Sequence, residues 1–139
     1  MRGPTLPDST ILPPPKSPEE IEMYNALREF MLNTTDALSW LIKHPTTSVV
    51  VDYTATSGDY TILCDATGAA FAVTLPSAIP NKNKIYVIKK IDVSVNAITV
   101  TAFGDEEIEG SATQELGTQY DTMTIHSDGS GWHIISTVG

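Results

Sequence analysis

After residue 45 the chain carries no apolar period of 3.6 residues, and that limits its larger part to strands. Short runs rich in β-branched and aromatic residues take its place, at 49–53, 60–64, 71–75, 85–91, 97–101, 122–126 and 132–135. Turn formers bound most of them: Ser57-Gly58-Asp59, Thr67-Gly68, Pro80-Asn81-Lys82-Asn83, Gly104-Asp105 and Ser127-Asp128-Gly129-Ser130-Gly131. Seven or eight strands about ten residues apart predict an antiparallel sandwich or barrel over 46–139. The fold class expected for the whole chain is α+β by segments, with a helix and an extended arm ahead of this all-β knob.

The helix has a strong start signal. Ser17-Pro18-Glu19-Glu20 offers a capping serine, a proline at the first helical position and a glutamate three residues after the cap. No Gly or Pro interrupts the chain from there to Lys43, and His44-Pro45 ends the element. The spacing predicts an amphipathic, coiled-coil-like helix within 17–45, roughly 37 Å long. Tyr24, Leu27, Met31, Thr34, Leu38 and Leu41 form a heptad seam, with Thr34 its one polar member. Met23, Phe30 and Ala37 widen one flank, and Ile21 and Ile42 lie on the other, a width that suits three helices better than two. Such a stripe packs either on other copies of the chain or on the protein's own sheet.

Residues 1–16 hold five of the nine prolines, which favour extended polyproline II structure over helix. The segment reads as a loose leader or as an arm laid along a partner, with Leu6, Ile11 and Leu12 as anchors. Eight Lys and Arg against 17 Asp and Glu give a net charge of −9, the wrong sign for nucleic acid, whose phosphates supply most of the affinity. Cys64 is the single cysteine, so a disulfide framework and a cysteine zinc cluster are both excluded. The first residues have no apolar core of a secretory signal, and no apolar run is long enough for a membrane helix. A soluble protein made in a cytosol is expected.

Taken in order, LPSA at 75–78, IKKID at 88–92, IEG at 108–110 and SDGSGW at 127–132 give the β region a recognisable cast. It resembles the small β-domain of fibre, spike and head-fibre proteins of tailed bacteriophages, which is usually C-terminal and trimeric. The likeness covers most of the β region, although the chain has no long shaft between helix and knob. It implies a structural virion protein, a short homotrimeric fibre or decoration appendage assembled in the host cytoplasm. The arm would dock on a capsid, portal-region or tail protein. The alternative it implies is a receptor- or glycan-binding module whose knob touches the host surface.

Residues with chemistry are few, and no catalytic set is expected. Cys64 lies mid-strand, where cysteine behaves as a small buried hydrophobe. No nucleophile elbow, Walker loop, dinucleotide-binding glycine pattern or His-Glu-x-x-His is present, and nothing calls for a cofactor. The acidic run 105–109 reads as a solvated loop rather than a calcium site or a hydrolytic carboxylate pair. A hairpin closed by 128–131 would pair 126 with 133, 125 with 134 and 127 with 132. It makes His126 and His133 cross-strand neighbours, weak candidates for a transition metal. Trp132 and Tyr120 are candidates for stacking on a sugar, although a tryptophan directly after a tight turn more often anchors its hairpin to the core.

Overall fold

The computed structural model describes residues 17–42 and 44–139, with side chains of the helix described as far as Met31. Leu6, Ile11 and Leu12 of the arm lie outside the described residues, as do the side chains of Thr34, Leu38 and Leu41. Two units pack separately, one ending at Lys43 and the other running from His44 to Gly139.

The helix α1 spans Pro18–Ile42, 25 residues, with Glu19 and Glu20 in its first turn. Its start follows the capping signal: Ser17 Oγ accepts from the Glu20 N–H at 3.2 Å, and the Ser17 carbonyl accepts from the Ile21 N–H at 2.9 Å. The first satisfies a donor that a helix start otherwise leaves open, and the second is the first bond of the helix's own i→i−4 ladder. Leu27 stands 41% exposed and Met23 70% exposed.

The second unit holds nine strands: β1 (Thr46–Val49), β2 (Tyr53–Thr54), β3 (Thr61–Cys64), β4 (Phe71–Thr74), β5 (Ile85–Lys90), β6 (Ile98–Thr101), β7 (Thr113–Leu116), β8 (Thr122–Ser127) and β9 (Trp132–Val138). They form two mixed sheets, β1-β3-β5-β8-β9 and β2-β4-β6-β7, neither closed into a barrel. The antiparallel expectation needs correction here. β1, β3 and β5 run parallel, as do β2, β4 and β6. Through its first six strands the chain changes sheet at every turn. Each return therefore lays a new strand beside, and in line with, the one laid two strands earlier. Only β5–β8, β6–β7 and β8–β9 pair antiparallel. Turn-forming residues mark where a strand ends; they do not say whether the next one pairs with it or crosses the core.

One core serves both sheets. Ile62, Cys64, Ile88 and Ile125 enter it from the first sheet, and Val73, Ile98 and Val100 from the second, all fully buried. Each such aliphatic side chain contributes about 1.5–3 kcal/mol of transfer free energy. Two aspartates join loops to this frame. Asp59 accepts from Thr47 Oγ1 at 2.6 Å, Tyr53 OH at 2.8 Å and the Thr56 N–H at 2.8 Å, linking residues of β1 and β2. Asp92 accepts from the Ala66 N–H at 2.7 Å and the Ser94 N–H at 2.9 Å, fixing the two loops that cross from β3 to β4 and from β5 to β6.

Candidate functional site

The hairpin β8–β9 adopts the register its loop length predicts. His126 lies opposite His133, Ile125 opposite Ile134 and Ser127 opposite Trp132. Asp128 organises the turn: its Oδ1 accepts from the N–H groups of Ser130 at 2.7 Å and Gly131 at 3.0 Å. Gly129 supplies the positive φ, 93°, that the turn requires. The segment following β6 comes alongside. The Trp132 N–H donates to the Glu107 carbonyl, the Glu109 N–H donates to the Trp132 carbonyl, and the Ile134 N–H donates to Glu109 Oε1. Glu109 adopts a φ of 50° to make that reach.

Between hairpin and segment lies a cleft of about 440 Å³, lined by Asp105, Glu106, Glu107, Glu109, Asp128 and His133 among others. Its carboxylates are largely engaged. Glu106 accepts from Ser77 Oγ at 2.6 Å and the Ala78 N–H at 2.8 Å, holding the turn before β5. His133 bridges the cleft, Nε2 at 2.8 Å from Asp128 Oδ2 and Nδ1 at 3.6 Å from Glu109 Oε1. The Asp128 hydrogen bond raises the His133 pKa, with Glu109 adding to it. Reciprocally, His133 and the turn's N–H groups hold Asp128 well below the ordinary carboxylate range. An acid for glycoside chemistry needs the opposite shift, a carboxyl kept protonated near neutral pH. Asp128 is built to keep its negative charge.

The sequence candidates fall out unevenly. His126 and His133 are brought side by side, but the His133 ring turns to carboxylates. Among the described residues, no group of three or more His, Cys, Asp or Glu side chains is placed to hold a metal ion. Trp132 is 1% exposed, its ring 5.5 Å from that of Tyr86. It anchors the hairpin, so the sugar-stacking reading of Trp132 is corrected: a ring sealed in the core presents no face to a glycan. Tyr120 is 57% exposed, at φ 69°, with Lys89 Nζ 5.3 Å from its ring centre. Cys64 is buried, and that burial pushes its thiol up to about 12, so it stays protonated at neutral pH. Of the seam, Leu27 and Met31 are exposed and Tyr24 is half-buried.

Two charged features escape motif reading. Lys90 is fully buried, its Nζ 2.6 Å from Asp92 Oδ1. The signal for it is present, since Tyr86, Ile88 and Lys90 share one strand parity and Tyr86 and Ile88 point inward. Glu109 as the partner of a strand-edge N–H has no local signal, because its acceptor role depends on Ile134, 25 residues away. No protein-family model matches the chain, and no curated protein matches it in sequence.

Proposed function

We propose that this chain is a non-enzymatic structural protein of a tailed-bacteriophage virion, a short homotrimeric fibre or decoration appendage. In this reading the arm anchors it to a capsid, portal-region or tail protein, α1 brings three chains together, and the β unit is the knob. One observation carries the reading. A 25-residue helix, a unit distinct from the β unit, leaves apolar side chains of its described part exposed. Such a helix gains its stability by burying that stripe against something else. The ordered motifs of the β region supply the phage resemblance, and a two-sheet sandwich suits a compact knob. The charge of −9 keeps many copies soluble before assembly, and three weak arms held at one site gain avidity over any single arm.

The test is absolute mass in solution by light scattering. A full-chain mass of about 45 kDa, three times 15.0 kDa, is expected. A monomer at every concentration sinks the trimer, and purified virions that lack the chain sink the virion assignment.

A further inference from the structure

β9 is an edge strand of the five-stranded sheet, and the segment 107–110, not another strand, covers the outer side of its first half. Three hydrogen bonds make the cover: Trp132 N–H to the Glu107 carbonyl at 3.0 Å, Glu109 N–H to the Trp132 carbonyl at 3.1 Å, and Ile134 N–H to Glu109 Oε1 at 3.0 Å. Only the last ends on a side chain. Glu109 sits at a φ of 50°, a left-handed conformation that disfavours any residue with a Cβ. The end of the cover is thus strained and hangs on one carboxylate. His133 stands beside that carboxylate, its Nδ1 3.6 Å from the same Glu109 Oε1 and its Nε2 2.8 Å from Asp128 Oδ2. The hydrogen count of the ring decides what it does there. An imidazolium carries N–H on both nitrogens and attracts both carboxylates, whereas the neutral ring carries only one. The shorter contact, to Asp128, takes that hydrogen. Nδ1 then turns a lone pair on Glu109, and attraction becomes repulsion.

We infer that His133 is a proton-operated latch: its imidazolium fastens Glu109, and with it the segment 107–110, over the edge of β9, and loss of the proton loosens that cover. Other charged groups surround the ring. Asp105 and Glu107 line the same cleft, Lys82 lies against Gly129 of the turn, and His126 lies opposite on β8. Glu109 is the one that meets both the ring and the strand edge, so the proton on His133 acts through it. Asp128 and Glu109 raise the pKa of His133. The fastened form is therefore complete below about pH 6.5 and is lost as pH rises through the folded value. What loosens is a strand edge, whose open N–H and C=O groups pair readily with another extended chain. Ring and carboxylate are each about half exposed, so solvent screens the contact and the change is local rather than a melting of the sheet.

The test is amide hydrogen exchange at Ile134, followed by NMR on the full chain at about pH 5.5 and about pH 8.5 and corrected for the intrinsic pH dependence of exchange. Wild type, His133→Gln, Glu109→Gln and His126→Gln are compared, with the buried Ile125 of β8 as the internal reference. In the wild type, protection of Ile134 is expected to fall by about threefold or more from the lower to the higher pH, while that of Ile125 holds. His133→Gln is expected to abolish the fall. Glu109→Gln, which keeps an oxygen for the Ile134 N–H but removes its charge, is expected to flatten it as well. His126→Gln is expected to keep it. Equal wild-type protection at the two pH values overturns the inference. So does a fall that persists in His133→Gln, one that disappears in His126→Gln, or one that Ile125 shares in full, which would mark unfolding of the sheet.

Discussion

Lys90 and Asp92 show what single residues do in this fold. An ammonium with no solvent exposure is tolerated because a carboxylate meets it at 2.6 Å and further donors complete that carboxylate. Removing one member leaves the other charged and buried, which costs about 3–5 kcal/mol. Lys90→Met is therefore expected to lower stability by that order in urea titration, and Lys90→Met with Asp92→Leu to recover part of it. A double variant no more stable than the single one would refute the coupling. The same pair fixes a pH dependence. Burial alone would raise the Asp92 pKa, but Lys90, Ser94 and the Ala66 N–H together hold it below its ordinary value. A carboxyl depressed on folding stabilises the protein above its unfolded pKa, near 3.9, and that stability is lost as pH falls below it. Melting temperature should thus drop from about pH 4 downward, and drop less steeply in the double variant. His133 has the opposite sign. Its pKa is raised by Asp128 and Glu109, so its contribution is present below pH ~6.5 and is lost as pH rises through the folded value. Because the ring is half exposed, the shift between pH 6 and 8 that His133→Gln removes should be small.

At the scale of elements, the hairpin and the helix start were legible and the sheet order was not. Ser17, Pro18 and Glu20 are adjacent in sequence and act on one another directly, so their local pattern fixes α1's first turn. Asp128 to Gly131 close their own loop, so counting outward from it gave His126 opposite His133 without knowledge of the rest. Gly129→Ala tests that turn. A methyl at φ 93° is strained, and it would lie 3.1 Å from the Lys82 side chain, which can move aside. A loss of about 1–2 kcal/mol is expected in thermal unfolding, and an unchanged melting temperature would refute the strain. The parallel order of β1, β3 and β5 left no comparable trace. The run 49–53 was read as one strand, but Val49 ends β1 in the first sheet and Tyr53 begins β2 in the second. Val50 and Val51 are apolar and β-branched, yet they stand exposed in the turn that crosses between sheets. Composition favours a strand there; the crossing is decided by the core that both flanking strands reach. β7, with Gln114 and Glu115 in its short span, has too little apolar character to be read as a strand.

Across the whole molecule, charge and apolar surface point to one thermodynamic signature for assembly. Asp128 at the acidic cleft is held in its charged form, while the exposed part of the α1 stripe carries apolar area that association would bury. If copies meet through that stripe, burial of apolar area drives association and the net charge of −9 opposes it. Salt then acts in one direction. At 0.01 M ionic strength the Debye length is about 30 Å and repulsion between whole copies persists; at 1 M it is about 3 Å and only contacting charges interact. Raising sodium chloride from about 0.02 M to 0.5 M should therefore tighten the assembly several-fold, read as a lower dissociation midpoint in sedimentation or light scattering. An assembly held by ion pairs between acidic cleft and lysines would loosen over the same range. Tightening that survives in Lys82→Gln with Lys84→Gln would place the attraction on the apolar stripe, whereas loosening would move it to the cleft and leave the seam without a part in assembly.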